Sequence, residues 1–167
     1  IMGTPNTVPD VIARGAELGL ELLPGFMTPR AAFRAVEAGA RRVKLFPAAQ
    51  LGPAYVKAVK DVLPKHVGVW AVGGTGADTI GDWLAGGCEG IGVGGALYRP
   101  GDDALTVRAR AVDLVAAGEA VVDHLLDRHR QAQRRRRRQR ERDHPGGEQA
   151  ALSHHERPKG LQRTDAR

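Results

Sequence analysis

Short apolar runs alternate with stretches of helical period along the first three quarters of the chain. The runs start near Ile1, Leu20, Arg42, Val67 and Gly90, so they recur every 19 to 25 residues. That spacing accommodates one strand, a turn and one covering helix each time. The class it predicts is α/β, with a parallel sheet.

Helices are expected between the strands. The first covers Val8 to Leu18, with Val8, Val11, Ile12 and Leu18 as its buried set and Gly19 as its C-terminal cap. The second follows Thr28-Pro29, an N-cap and a first-turn proline, and would bury Ala32, Phe33, Val36 and Ala40. The third spans Pro53 to Leu63, with Tyr55, Val56, Val59, Val62 and Leu63 at helical spacing and Pro64 as its stop. The fourth covers Asp78 to Ala85, and a fifth, amphipathic, runs from Leu105 to Leu126. Each strand is read as ending in a turn signal: Pro5-Asn6, Pro24-Gly25, Phe46-Pro47, Gly73-Gly74 and Gly94-Gly95. In a parallel sheet these ends share the C-terminal face, where α/β proteins place their sites.

Lys44 stands near that face, inside the apolar stretch Arg42-Val-Lys-Leu-Phe-Pro47. Burial disfavours an ammonium, and a neutral lysine amine is a nucleophile that condenses with ketones. The simpler reading is a stem that packs while its head reaches solvent. Spacing alone favours the simpler reading. The Gly-Gly pairs are equally two-sided. They let backbone N–H groups approach a phosphate, or they only close tight turns. Cys88 reads as a small core residue, His66 as structural, Asp78 as a helix start, and Trp70 and Trp83 as packing residues.

Composition changes the picture at one end. Residues 1–127 hold 12 Lys+Arg against 14 Asp+Glu, a net charge of −2, whereas residues 128–167 hold 13 against 5, a net +8. The basic pI therefore belongs to the tail, and a nucleic-acid-binding barrel is not implied. Residues 128–167 are read as a separate Arg-rich, disordered tail. They include five consecutive arginines, Arg134 to Arg138, and a polar stretch from Pro145 onward. Such a run can bind nucleic acid, but it lacks interleaved aromatic residues for stacking on bases, and a solvated tail is the expectation. One cysteine permits no disulfide within the chain and fits a cytoplasmic location. No apolar run approaches a membrane span, and the start has no signal-peptide pattern. Ile1-Met-Gly-Thr-Pro5 reads as a strand already in progress, so the N-terminal part of a longer protein is expected to be missing.

Seven motifs in order carry a resemblance: Thr4-Pro5-Asn6; Leu23-Pro24-Gly25-Phe-Met-Thr28; Glu37-Ala-Gly-Ala40; Val43-Lys44-Leu-Phe-Pro47; Leu51-Gly-Pro-Ala-Tyr-Val-Lys-Ala58; Trp70-Ala-Val-Gly-Gly74; and Gly92-Val-Gly-Gly-Ala-Leu-Tyr98. From Ile1 to about Gly101 the chain resembles the back half of the class I aldolases acting on 2-dehydro-3-deoxy-6-phospho sugar acids. Within that family it is most similar to the phosphogalactonate branch. The resemblance implies a (β/α)8 TIM barrel, N-terminally truncated to about strands four to eight, in residues 1–127. It implies carbon–carbon cleavage through a lysine Schiff base, with no metal and no cofactor.

Lys44 matches the Schiff-base lysine. Pro5, Pro24, Phe46, Pro47 and Val72 match substrate-pocket positions, and Gly73, Gly74, Gly94 and Gly95 match the phosphate cradle. Many relatives carry serine where Gly95 stands, so the cradle here lacks a hydroxyl. The implied reaction yields pyruvate and glyceraldehyde 3-phosphate, in galactonate degradation of the Entner–Doudoroff type. Val72 and Gly52-Pro53-Ala-Tyr55 resemble the galactonate branch; the alternative is the gluconate epimer or 4-hydroxy-2-oxoglutarate. A third possibility is a non-enzymatic fragment whose basic tail binds nucleic acid, a partner the composition disfavours. The resemblance implies a homotrimer when the barrel is complete. The family's acid/base glutamate, carboxylate-binding arginine and Gly-Ala-Gly-Thr turn lie on earlier strands absent from this chain, which implies weak or no activity for the chain alone.

Overall fold

The computed structural model describes residues 1–143. Its first unit, residues 1–125, is a five-stranded parallel α/β half-barrel. The strands are β1 (Met2–Thr4), β2 (Leu22–Phe26), β3 (Arg42–Leu45), β4 (Gly68–Val72) and β5 (Gly90–Gly92), paired in chain order. The helices are α1 (Pro9–Glu17), α2 (Pro29–Glu37), α3 (Gly52–Val62), α4 (Ile80–Ala85) and α5 (Ala104–Asp143), with a 3-10 turn at Ala48–Gln50 before α3. Right-handed crossovers between sequential parallel strands place the covering helices on one face.

Alternation along the strands separates two faces. Val43, Leu45, Val69 and Ala71 are fully buried against the helices. Arg42, Lys44, Trp70 and Val72 alternate with them and are only half-buried on the other, concave face. Register extends that face sideways, because Gly25, Lys44, Trp70 and Gly90 form one row across the sheet.

Strand β2 corrects one expectation. Pro24-Gly25 is not a turn but lies inside the strand. Proline has no N–H for a ladder, and here it marks a handover. Leu22 to Pro24 pair with β1, whereas Gly25 and Phe26 pair with β3.

Helix α1 corrects another. Of its four expected core residues only Ile12 is buried; Val8, Val11 and Leu18 are exposed. The reason is Gly15, whose missing side chain lets Leu22 and Met2 close onto the helix: a Cβ there would lie 2.7 Å from Leu22 Cδ2. The helix therefore docks through Ile12 and Gly15, and its other apolar residues rotate outward. In α2, the Thr28 hydroxyl caps the helix by accepting from Ala31 N, as expected, and Ala35 joins Ala32 in the core. In α3, Val56, Val59 and Leu63 are buried but Val62 is exposed. Helix α4 starts at Ile80, not Asp78, with Thr79 at its N-cap.

The tail expectation is corrected in part. Residues 128–143 are the C-terminal part of α5, not disordered chain. Arginine, glutamine and alanine are good helix formers, and polar pairs one turn apart, Gln133 with His129 and Gln139 with Asp143, support them. Residues 144–167, which the disorder expectation also covers, lie outside the described residues. Among the described residues, no helix is long and apolar enough to cross a membrane.

Cys88 is a buried core residue, and burial pushes its thiol up to about 11. The neutral thiol is thus favoured in the fold. As pH rises through the window from about 9 to 11, the unfolded chain loses this proton before the folded one does, so stability falls. Urea midpoints measured from pH 8 to 11 should show this loss, and Cys88→Ala should remove that component. An unchanged pH profile in the variant would count against it.

Candidate active site

Lys44 occupies the concave face because β3 alternates Val43 and Leu45 into the helices. It is half-buried, less enclosed than a strand-interior lysine is expected to be. Its Nζ lies 5.3 Å from the centroid of the Phe46 ring. An ideal Cβ on Gly3 would lie 3.8 Å from the same nitrogen, so β1 borders the amine with nothing larger than a hydrogen. Among the described residues, no carboxylate pairs with Lys44 and no hydrogen bond occupies its amine.

A cleft of about 470 Å³ opens beside it at the C-terminal ends of β3, β4 and β5. Phe46, Val72, Gly73, Gly74, Gly94 and Gly95 all line it. Phe46 thus touches both halves of the arrangement, the amine and the glycines. The Phe46–Pro47 bond is cis. Pro47 packs under the first glycine pair: its Cα lies 3.2 Å from where a Gly73 Cβ would stand.

The two glycine pairs are built differently. Gly73 and Gly74 have φ of 98° and 74°, left-handed values that disfavour other residues. A Cβ on Gly74 would also meet Ala49 Cβ at 2.5 Å. Ala49 N donates to Gly73 O at 3.0 Å, which pins the turn to the 3-10 segment. Gly94 and Gly95, in contrast, have nothing within 4 Å of an ideal Cβ. Neither packing nor conformation requires glycine there, and a serine hydroxyl would fit.

Six further residues line the cleft without a role assigned from the sequence: Thr75, Gly76, Asp78, Gly92, Ala96 and Arg99. Thr75 is the one buried polar residue of the described chain, and its hydroxyl donates to Gly92 O at 2.7 Å, tying the β4 turn to β5. Arg99 brings a positive charge to the Gly94-Gly95 side, and its Nε donates to Gly95 O at 3.1 Å. Asp102 accepts from Arg99 N at 2.6 Å while pairing with Arg110. The Arg110 guanidinium, foremost, holds the Asp102 carboxyl below the usual carboxylate range. Asp102 is therefore paired first with Arg110, and the cleft arginine adds a smaller contribution. The signal for Arg99 was its place four residues after Gly95, but that inference needs the turn geometry. Asp78, read as a helix start, instead brings a carboxylate to the cleft wall.

Four sequence candidates are not among the residues lining the cleft: Lys44 and Pro47, which stand close to its lining residue Phe46, and Pro24 and Pro5. Pro24 is fully buried, and alternation places it with Leu22 and Phe26 on the helix side, away from Lys44. Pro5 is exposed; its backbone, not its ring, makes the close contact, with Gly25. Trp83 is a core residue, while Trp70 lies on the concave face with a buried indole N–H that has no partner among the described residues. The same residues contain no cluster of His, Cys, Asp or Glu able to hold a metal.

Residues 2–117 match the family model described as KDPG and KHG aldolase. The 2-dehydro-3-deoxy-6-phosphogalactonate aldolase of Escherichia coli (strain K12) is 41% identical over 114 residues, which are 68% of this chain and 56% of that protein. A probable 2-dehydro-3-deoxy-6-phosphogalactonate aldolase of Rhizobium meliloti (strain 1021) is 41% identical over 121 residues, covering 72% and 57%. The solved structure named "Native KDPGal structure" superposes with a TM-score of 0.71 at 40% identity, covering 72% of this chain and 59% of that one. The chain thus spans a little over half the length of the curated relatives it matches.

Proposed function

The chain belongs to the KDPG and KHG aldolase family, and from that membership we propose that it carries the Schiff-base and phosphate-binding part of a class I aldolase acting on 2-dehydro-3-deoxy-6-phosphogalactonate. One observation carries the reading. An amine with no carboxylate partner among the described residues stands over the Phe46 ring, and Phe46 in turn lines a glycine-rich cleft at one end of a parallel sheet. The five strands then correspond to strands four to eight of a (β/α)8 barrel.

In the proposed chemistry the Lys44 amine attacks the C2 ketone, water leaves, and an iminium forms. A base takes the proton of the C4 hydroxyl. The C3–C4 bond breaks, its electron pair moves toward the iminium nitrogen, and glyceraldehyde 3-phosphate departs. The resulting enamine is protonated at C3 and hydrolysed to free pyruvate and the lysine. Backbone N–H groups around Gly73-Gly74 and Gly94-Gly95 would hold the 6-phosphate, and Arg99 would supply the countercharge. Asp78 on the same wall opposes an anion and would limit its affinity.

The residue that handles the C4 proton is assigned to the family's earlier strands. Loss of general acid–base catalysis typically costs about 10²–10⁴ in rate. We therefore expect the chain alone to be a slow or silent aldolase. Galactonate specificity rests on Val72, an apolar wall residue that offers no hydroxyl to the C4 oxygen; the gluconate epimer is the alternative. Assembly as a homotrimer and a cytoplasmic location are part of the same proposal.

The test is pyruvate release from the two C4 epimers, measured on the chain joined to the N-terminal half of a relative. Faster release from the galactonate epimer is expected. Preference for the gluconate epimer would move the assignment to that branch, and no release from either would remove it.

A further inference from the structure

We propose that the C-terminal part of α5 is a docking helix for double-stranded DNA, seated in the major groove through contacts to both phosphate strands. The second unit begins at Leu126, and its described part is helical through Asp143. From Leu126 to Asp143 the sequence has nine arginines against three carboxylates, Asp127, Glu141 and Asp143. Eighteen residues make a rod about 27 Å long. Arg130 pairs with Asp127 at 3.7 Å in an exposed position. Arg142 donates to the Gln139 side chain at 3.0 Å.

The distribution of the arginines selects the partner. At 100° per residue, Arg128, Arg130, Arg134, Arg135, Arg136 and Arg138 point to every side of the rod, not to one stripe. A flat anionic surface would engage one side only. A lipid surface would also need an apolar face, whereas between Asp127 and Asp143 the one apolar residue is Ala132. Single strands are held largely by aromatic stacking, and this segment has no aromatic residue. A groove that surrounds a helix and carries phosphates along both rims meets an all-round arginine rod on each flank. The B-form major groove is about 12 Å wide and admits one α-helix. The A-form groove of duplex RNA is too narrow for this.

The helix also gains from the ligand. Arg130 and Arg134, Arg134 and Arg138, and Arg136 and Arg140 stand four residues apart, and like charges at that spacing oppose the helix. Neutralising phosphates would remove that repulsion. Binding should therefore be independent of base sequence and should raise helicity.

The experiment uses the full chain and a fluorescein-labelled 20-base-pair DNA duplex, with anisotropy read across a salt series. The expected dissociation constant is about 1 µM or tighter near 50 mM salt, with a log–log salt slope of about −4 or steeper. Replacing Arg134 to Arg138 together by glutamine, a helix former, should flatten the slope by about 0.9 per charge removed. Replacing the same five by lysine should keep most of the binding, which separates charge from loss of the helix. Circular dichroism should show added helix with the duplex. Absent binding, an unchanged slope in the glutamine variant, equal affinity for the RNA duplex, or preference for phosphatidylserine vesicles would each overturn the proposal.

Discussion

Lys44→Arg is expected to abolish reductive trapping of pyruvate. When the full chain is incubated with pyruvate and borohydride and its peptides are mapped by mass, the adduct should sit on Lys44. Arginine keeps the positive charge over the Phe46 ring but has no free amine to condense with a ketone. The adduct yield should fall by on the order of 100-fold or more, and Lys44→Ala should behave the same way. Lys57, Lys60 and Lys65 line a separate cleft of about 340 Å³ beside the α3–β4 loop and serve as internal controls. If they label as heavily as Lys44, the geometry beside the glycine cleft confers nothing and the proposed nucleophile is wrong. The experiment asks only for iminium formation, which needs no proton relay to the C4 hydroxyl. It therefore remains informative for a chain expected to cleave slowly.

Gly25→Ala is expected to be the most destabilising single methyl group in the half-barrel. An ideal Cβ at Gly25 would stand 2.3 Å from Pro5 O, 2.5 Å from Pro5 C and 2.8 Å from Thr4 O. All three are backbone atoms, so no side-chain rotation relieves the clash; the end of β1 must move. Forced overpacking of this kind costs about 3 kcal/mol or more. The Thr7 hydroxyl donates to Gly25 O at 2.9 Å, so the displacement would also strain that tie. Gly25 is the register partner of Lys44, which makes the trapped-adduct yield a second readout. Gly95→Ala is the contrast: with open space around it, a change within about 0.5 kcal/mol is expected. Equal urea midpoints for the two variants would mean that β1 does not lie where these contacts put it.

Local pattern was enough for much of this molecule. Periodicity located all five strands and the helices between them, because burying one face of a strand or helix imposes its period on the apolar residues. The Thr28-Pro29 start of α2 was legible for the same local reason: a capping hydroxyl acts within three residues of itself. The expected end of α5 failed because an arginine-rich composition reads as unable to fold, although its residues are good helix formers.

What lay beyond local pattern was which side a residue faces and what stands across from it. Pro24-Gly25 looked like a turn from its residue types, and only pairing with β1 on one side and β3 on the other shows it as strand interior. Gly15 looked like a weak helix position, yet it decides how α1 docks. Arg99 could not be assigned from its neighbours, because its value comes from a cleft formed by residues over 50 positions apart, from Phe46 to Arg99. By itself, the sequence determined the order of strands and helices, the lysine on β3 and the two glycine pairs, since each depends on residue type and short spacing. Tertiary structure alone decided that Gly73-Gly74 is a constrained turn and Gly94-Gly95 a free one, and that Pro24 faces the helices. Those distinctions depend on distances between segments far apart in the chain, which no local spacing records.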